Sequence, residues 1–134
     1  MSKPEPLAIA IAMTPPRALW PNTNAHKRTK EPYIMAFKQA AAAGAQNALV
    51  GRSWAWDGPI MLHVEVYWPK GQRRLDFDNV VGSLKAAQDG VFTKLEADDR
   101  QVVGITVQQD WDRNGEGYIA YVVEAVEEIA RIAA

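Results

Sequence analysis

Residues 60–68 read IMLHVEVYW. In an extended chain successive side chains point to opposite faces, so Ile60, Leu62, Val64, Val66 and Trp68 share one side and Met61, His63, Glu65 and Tyr67 the other. A strand with one continuous apolar face has to bury that face under a second layer, which excludes an isolated hairpin or an all-polar surface ribbon. Pro69, with no N–H to give to a ladder, closes the strand.

The remaining elements are read around it. Residues 1–6, with Pro4 and Pro6, form a flexible N-terminal tail. LAIAIAM at 7–13 places Leu7, Ile9, Ile11 and Met13 on one face and alanines on the other, a second strand pattern that Pro15 and Pro16 end. A polar loop, WPNTNAHKRTKEP, leads to Pro32, which suits the first turn of a helix because its missing N–H has no partner there anyway. Tyr33, Phe37, Ala41 and Ala48 recur near the helical period, with Gly44 as a weak point. Val80, Leu84, Ala87 and Val91 make the apolar stripe of a second helix. Val103, Ile105 and Val107 form a third strand, and Asn114-Gly115 suits a tight hairpin turn into a fourth at Tyr118–Val123, so the last two strands are expected to pair antiparallel. Residues 124–134 read as a short C-terminal helix. The expected fold class is α+β: a small mixed sheet of about four strands with two main helices on one face, in the order β-α-β-α-β-β plus that short helix.

A chain of 134 residues, 48% hydrophobic and 23% charged, is expected to be one domain spanning 1–134 and able to fold on its own core. The absence of cysteine excludes a disulfide scaffold, thiolate zinc sites and a cysteine nucleophile. No apolar run is long enough to span a bilayer and no signal-peptide pattern opens the chain, so a cytoplasmic protein is expected. His26 and His63 are too few and too separated for a zinc site. Trp68 belongs to an apolar strand face, and Trp20, Trp54 and Trp56 sit in loops where packing is favoured over base stacking.

The net charge of −1 hides an uneven distribution. Arg17, Lys27, Arg28, Lys30 and Lys38 face Glu31 alone between residues 17 and 38, and Lys70, Arg73 and Arg74 add a second basic group. Such groups beside carboxylates either hold a polyanion or form a solvated surface. The carboxylates are in RRLDFDNVVGSLKAAQDG, residues 73–90. Asp76 and Asp78 stand where a basic loop enters a helix, a place that favours negative charge, and Asp78 or Asn79 there can serve as a cap alone. Capping does not require the rest. At about 100° per residue, Lys85 and Asp89 each fall roughly 20° from Asp78 around the helix, with Gly82 clearing space on that face. A second acidic pair, Asp98 and Asp99, opens the third strand. Converging carboxylates repel unless a hard divalent cation such as magnesium joins them. The competing reading is a network of surface ion pairs.

RRLDFDN, followed by LKAAQDG and ADDRQVV, resembles the RusA family of Holliday junction resolvases, often encoded by bacteriophages and prophages. TPPRALWPNTNAHKR is similar to the family's proline-rich, asparagine-containing loop after its first strand. The resemblance covers roughly residues 11–125. It implies a homodimeric, magnesium-dependent endonuclease, with manganese as a substitute, that cuts four-way DNA by symmetric incisions in the bacterial cytoplasm. By motif, Asp76, Asp78 and Asp99 match the metal-binding catalytic aspartates and Lys85 the catalytic lysine, with Asn79, Asp89 and Asp98 in support. Family members often carry that lysine four residues after the second aspartate, where this chain has Gly82. Lys27, Arg28, Lys30, Lys70, Arg73 and Arg74 would then contact the DNA backbone, and Asn22 and Asn24 either contact DNA or order their own loop. A non-catalytic DNA-binding protein of the same fold and a broader fork or flap nuclease are the alternative functions.

Overall fold

The computed structural model describes residues 2–20 and 27–127, with the backbone alone at Lys27 and Arg28. Four strands, β1 (Leu7–Ile11), β2 (Ile60–Pro69), β3 (Val102–Asp112) and β4 (Tyr118–Ala125), form one sheet in the order β1-β4-β2-β3. β2 runs parallel to β3 and antiparallel to β4, and β1 is antiparallel to β4. The sheet is mixed and the class is α+β, as the alternation of residues 60–68 requires.

The face of β2 carrying Ile60, Leu62, Val64, Val66 and Trp68 is buried throughout. It continues laterally into Ile119, Tyr121 and Val123 of β4 and Leu7, Ile9 and Ile11 of β1. Helix α1 (Lys27–Ala48) covers it with Phe37, Ala41 and Ala45, and α3 (Lys85–Leu95) adds Ala87, Val91 and Phe92 to the same core. Trp54 and Trp56 pack against that core from the loop before β2, and Trp20 does so beside Trp68, in line with the packing role. The opposite face is half exposed. There His63 bridges strands, its Nδ1 2.9 Å from Thr106 Oγ1 and its Nε2 3.0 Å from Glu124 Oε1.

Several expectations are corrected. β3 and β4 do not pair: β4 enters between β1 and β2, because the parallel β2–β3 unit already occupies that side of β2. The turn after β3 carries the chain across the end of β2, and Gly117 (φ 96°) passes so close that a Cβ there would lie 2.7 Å from Tyr67 O. α1 starts at Lys27, so Pro32 lies inside it rather than in its first turn. Tyr33 is 48% exposed and leaves the buried stripe to residues beyond it. The second helix is two, α2 (Phe77–Ser83) and α3, separated at Leu84, whose ψ of −3° departs from the helical value. Glu124 and Ala125 belong to β4 and not to a helix, and residues 128–134 lie outside the described residues.

The helix layer is tight. A Cβ at Gly90 of α3 would stand 2.2 Å from the carbonyl oxygen of Lys38 in α1, and one at Gly44 of α1 would stand 2.3 Å from Ala10 O in β1. Gly44, a weak point by propensity, is thus a place where the helix lies directly against the sheet backbone. Propensity alone would make Gly90→Ala stabilising by about 1 kcal/mol. Overpacking against rigid backbone costs about 1–3 kcal/mol and opposes it. We expect a net loss of stability in urea denaturation, and an unchanged or raised midpoint would refute the close helix contact.

Candidate active site

The loop between β2 and α2 leads into the first acidic pair, Asp76 at its end and Asp78 in the first turn of α2, and β3 holds that loop in place. After Pro69 the chain turns through Gly71 (φ 88°), where Gln72 N–H donates to Pro69 O at 3.0 Å. The Trp111 indole N–H donates to Gln72 O at 2.7 Å. Gln109 grips the next turn: its Nε2 donates to Leu75 O at 2.8 Å, while its Oε1 accepts from Leu75 N at 3.1 Å and from Trp68 Nε1 at 2.8 Å. Both peptide groups of the residue before Asp76 are therefore fixed to the sheet.

Asp76 occupies the cap position of α2 with extended backbone (φ −61°, ψ 144°), yet its carboxylate makes no capping bond. Asp78, in the first turn, accepts only the N–H of Asn79, at 3.1 Å. Both carboxylates are exposed. Capping consumes neither side chain beyond that one bond, so both keep hard oxygen donors facing water.

A second group forms at the start of α3. Lys85 Nζ lies 2.7 Å from Asp99 Oδ2 and 3.0 Å from Asp89 Oδ1, and Gln88 Nε2 donates to Asp99 Oδ1 at 2.9 Å. Hydrogen bonds from Lys85 and then Gln88 hold the Asp99 carboxyl below the usual carboxylate range. Its bond to Asp99, then that to Asp89, raises the Lys85 ammonium above its ordinary value. Beneath lies the buried Tyr121, whose hydroxyl has no hydrogen-bond partner among the described residues and whose pKa is pushed up by burial, with Asp99 and Asp89 adding to it. Asp98 has a structural role. It caps the 3₁₀ turn Asp99–Gln101, binds Arg100, which pulls its carboxyl down to about 2, and shares a capping box with Gln101. Gln101 in turn donates to Trp56 O and Gly58 O, so Asp98 and Gln101 set where Asp99 emerges.

The structure thus gathers Lys85, Gln88, Asp89 and Asp99, and sets Asp76 and Asp78 together at the head of α2. No hydrogen bond or ion pair links the two groups, and among the described residues no three of His, Cys, Asp and Glu stand close enough to share a metal ion. Counting angles from Asp78 to Lys85 along one continuous helix fails because of the break at Leu84. Beyond it, Lys85 and Asp89 do share a face and form an i,i+4 ion pair. Gly82 and Lys85 border one cavity of about 320 Å³, together with Lys30. Lys70, Arg73 and Arg74 lie on the loop after β2 and are exposed or nearly so. The side chains of Lys27 and Arg28 are not described, and Asn22 and Asn24 lie outside the described residues. Sequence reasoning missed Gln88, Gln101, Gln109 and Trp111. Gln109 had a signal: it is a polar residue in the register of Ile105, Val107 and Trp111, opposite the buried Val66.

Two measurements follow. Gln109→Leu leaves three partly buried groups without their partner, each costing about 1–3 kcal/mol. Urea denaturation should register a loss of at least about 2 kcal/mol, and a near-neutral effect would mean the clamp is not made. Lys85→Met removes the main cause of the low Asp99 pKa, so the Asp99 carboxyl titration followed by NMR should move upward. In the unaltered chain the Lys85–Asp99 attraction is present above the usual carboxylate range and is lost as pH falls through the lowered value of Asp99. An unmoved titration would exclude this pairing in solution.

No curated protein matches the chain. A family model described as endodeoxyribonuclease RusA matches residues 12–120, a span that begins just after β1 and takes in β2, β3, all three helices, the clamped loop, both acidic groups and the start of β4. Its chemistry is therefore that of a nuclease, its substrate is DNA, and the chain belongs to the RusA endodeoxyribonuclease family.

Proposed function

We propose that this chain is a magnesium-dependent endonuclease that resolves four-way DNA junctions by paired, symmetric phosphodiester cleavage. The observation that carries the reading is the pair of exposed carboxylates, Asp76 and Asp78, at the head of α2 directly after a loop that the sheet clamps, in a chain of an endodeoxyribonuclease family. Their donor chemistry fits magnesium, which takes hard oxygen ligands and is usually held by one or two carboxylates with substrate phosphate and water completing the shell. When bound there, the ion would polarise the scissile phosphate and lower the pKa of a coordinated water; manganese would substitute.

The chain's own residues supply the rest. Asp76 and Asp78 hold the cation side of the site. Asp99 uses one oxygen for Lys85 and one for Gln88, which leaves lone pairs on both for a further contact. Lys85, 63% exposed, can turn its ammonium from Asp89 toward a phosphate while Asp99 keeps it charged. There it stabilises the charge that builds on the phosphate oxygens in the transition state. Lys30, beside Lys85 in the same cavity, adds positive potential for the incoming strand. A homodimer would present two such sites to a junction of roughly two-fold symmetry, one for each incision. Among the described residues no helix is long and apolar enough to cross a membrane, which suits action on DNA in the cytoplasm.

The deciding experiment uses a labelled synthetic junction. Wild-type protein should nick it in magnesium in symmetric pairs, and Asp76→Asn should lower the rate by at least about 10³-fold while junction binding in EDTA persists. Failure of the wild type to cut would make the chain a DNA-binding protein without catalysis. Equal cutting of linear, forked and four-way DNA at one salt concentration would remove the junction preference.

A further inference from the structure

Arg17, Trp20, Gly71, Gln72, Arg73, Arg74 and Leu75 line a cleft. Among the described residues three guanidinium groups border it and no carboxylate does. Two of the three lie over indole rings: Arg74 is 4.4 Å from the centroid of Trp111, and Arg17 is 5.4 Å from that of Trp20. Neither ring is free to turn. Trp111 is tethered through its N–H to Gln72 O at 2.7 Å. Trp20 donates to Pro15 O at 3.3 Å and stands edge-on to the buried Trp68, with centroids 6.2 Å apart.

Among the described residues, neither Arg17 nor Arg74 makes an ion pair, in contrast to Lys85 and Arg100, and neither side chain donates a hydrogen bond. Their planes are set by tryptophan faces while their N–H donors remain unused. A planar fork of that kind matches the paired oxygens of a phosphodiester and loses little freedom in binding it. Arg74 is two residues before Asp76, on the loop that Gln109 and Trp111 anchor, so a phosphate held here stands at a fixed offset from the carboxylates.

We propose that this cleft is a phosphate subsite for the DNA strand flanking the cleavage position, with Arg74 oriented by Trp111 as its principal grip and Arg17 on Trp20 as its second. The inference rests on the nuclease reading and adds to it a contact that acts before and without the chemical step. The test is junction binding by the full chain in EDTA over a range of salt. Arg74→Ala should weaken binding roughly three- to tenfold and reduce the slope of log K against log[salt] by about 0.9, one phosphate contact. Arg74→Lys keeps the charge but loses the fork and the stacking, and it should recover little of the loss. Trp111→Leu should weaken binding to a similar degree with Arg74 in place, and the double variant should bind no worse than the weaker single. Thermal unfolding of each variant checks folding, and Arg74→Lys at an exposed position keeps the test decisive if Trp111→Leu misfolds. Wild-type affinity and slope in both Arg74 variants would overturn the subsite, and so would full recovery by lysine. Saturable ATP or inorganic phosphate binding that Arg74→Ala abolishes, with junction binding intact, would overturn the strand assignment. Failure of wild type itself to bind or cut any junction would remove the underlying reading instead.

Discussion

One carboxamide holds the acidic loop to the sheet. Gln109 donates one amide hydrogen to the Leu75 carbonyl and receives both the Leu75 N–H and the Trp68 indole N–H on its oxygen. An unmet backbone group in this half-buried place would cost about 1–3 kcal/mol, more than a hydrogen bond contributes net. The loop therefore has one low-energy position, and Asp76 inherits it. Carboxylates that repel each other and face water have no reason of their own to stay put. The backbone before them supplies that reason.

The second group is anchored differently. Lys85, Asp89 and Gln88 ride on α3, which is fastened to α1 through Gly90 against the Lys38 carbonyl. Asp99 comes from the turn that Asp98 and Gln101 cap. The ion pairs here are exposed and weak as contributors to stability. Their effect is on protonation state, keeping Asp99 ionised and Lys85 charged, which is what a phosphate-handling site requires. The site is thus an assembly of a sheet-borne acidic pair and a helix-borne acid and base cluster.

The sequence disclosed what depends on local periodicity. The alternation at 60–68 fixed the central strand, its buried face and the two-layer class, and the residues of Asp76, Asp78, Lys85 and Asp99 marked the segments that matter. Long-range placement was less legible. Asn114-Gly115 signals a turn, but a turn does not say whether the strands it joins are neighbours, and here β2 lies between them. Leu84 has an ordinary helical residue type, so nothing in its identity shows the break. Trp111 reads as one more aromatic of an edge strand until its N–H is seen to reach Gln72 O, across 39 residues of chain. Gln109 was readable only as an anomaly, a polar side chain at an apolar position.

The joint at Leu84 has a consequence for how such chains can vary in length. Lys85 opens α3, and α3 takes its own seat on α1 through Gly90, so the direction of the ammonium is set by packing beyond the joint and not by the turn count from Asp78. A residue gained or lost ahead of the joint can be absorbed there without turning Lys85 away from Asp99. Gly82 and Lys85 border the same hollow from opposite sides of the joint. The break thus uncouples the length of α2 from the aim of the cation that follows it.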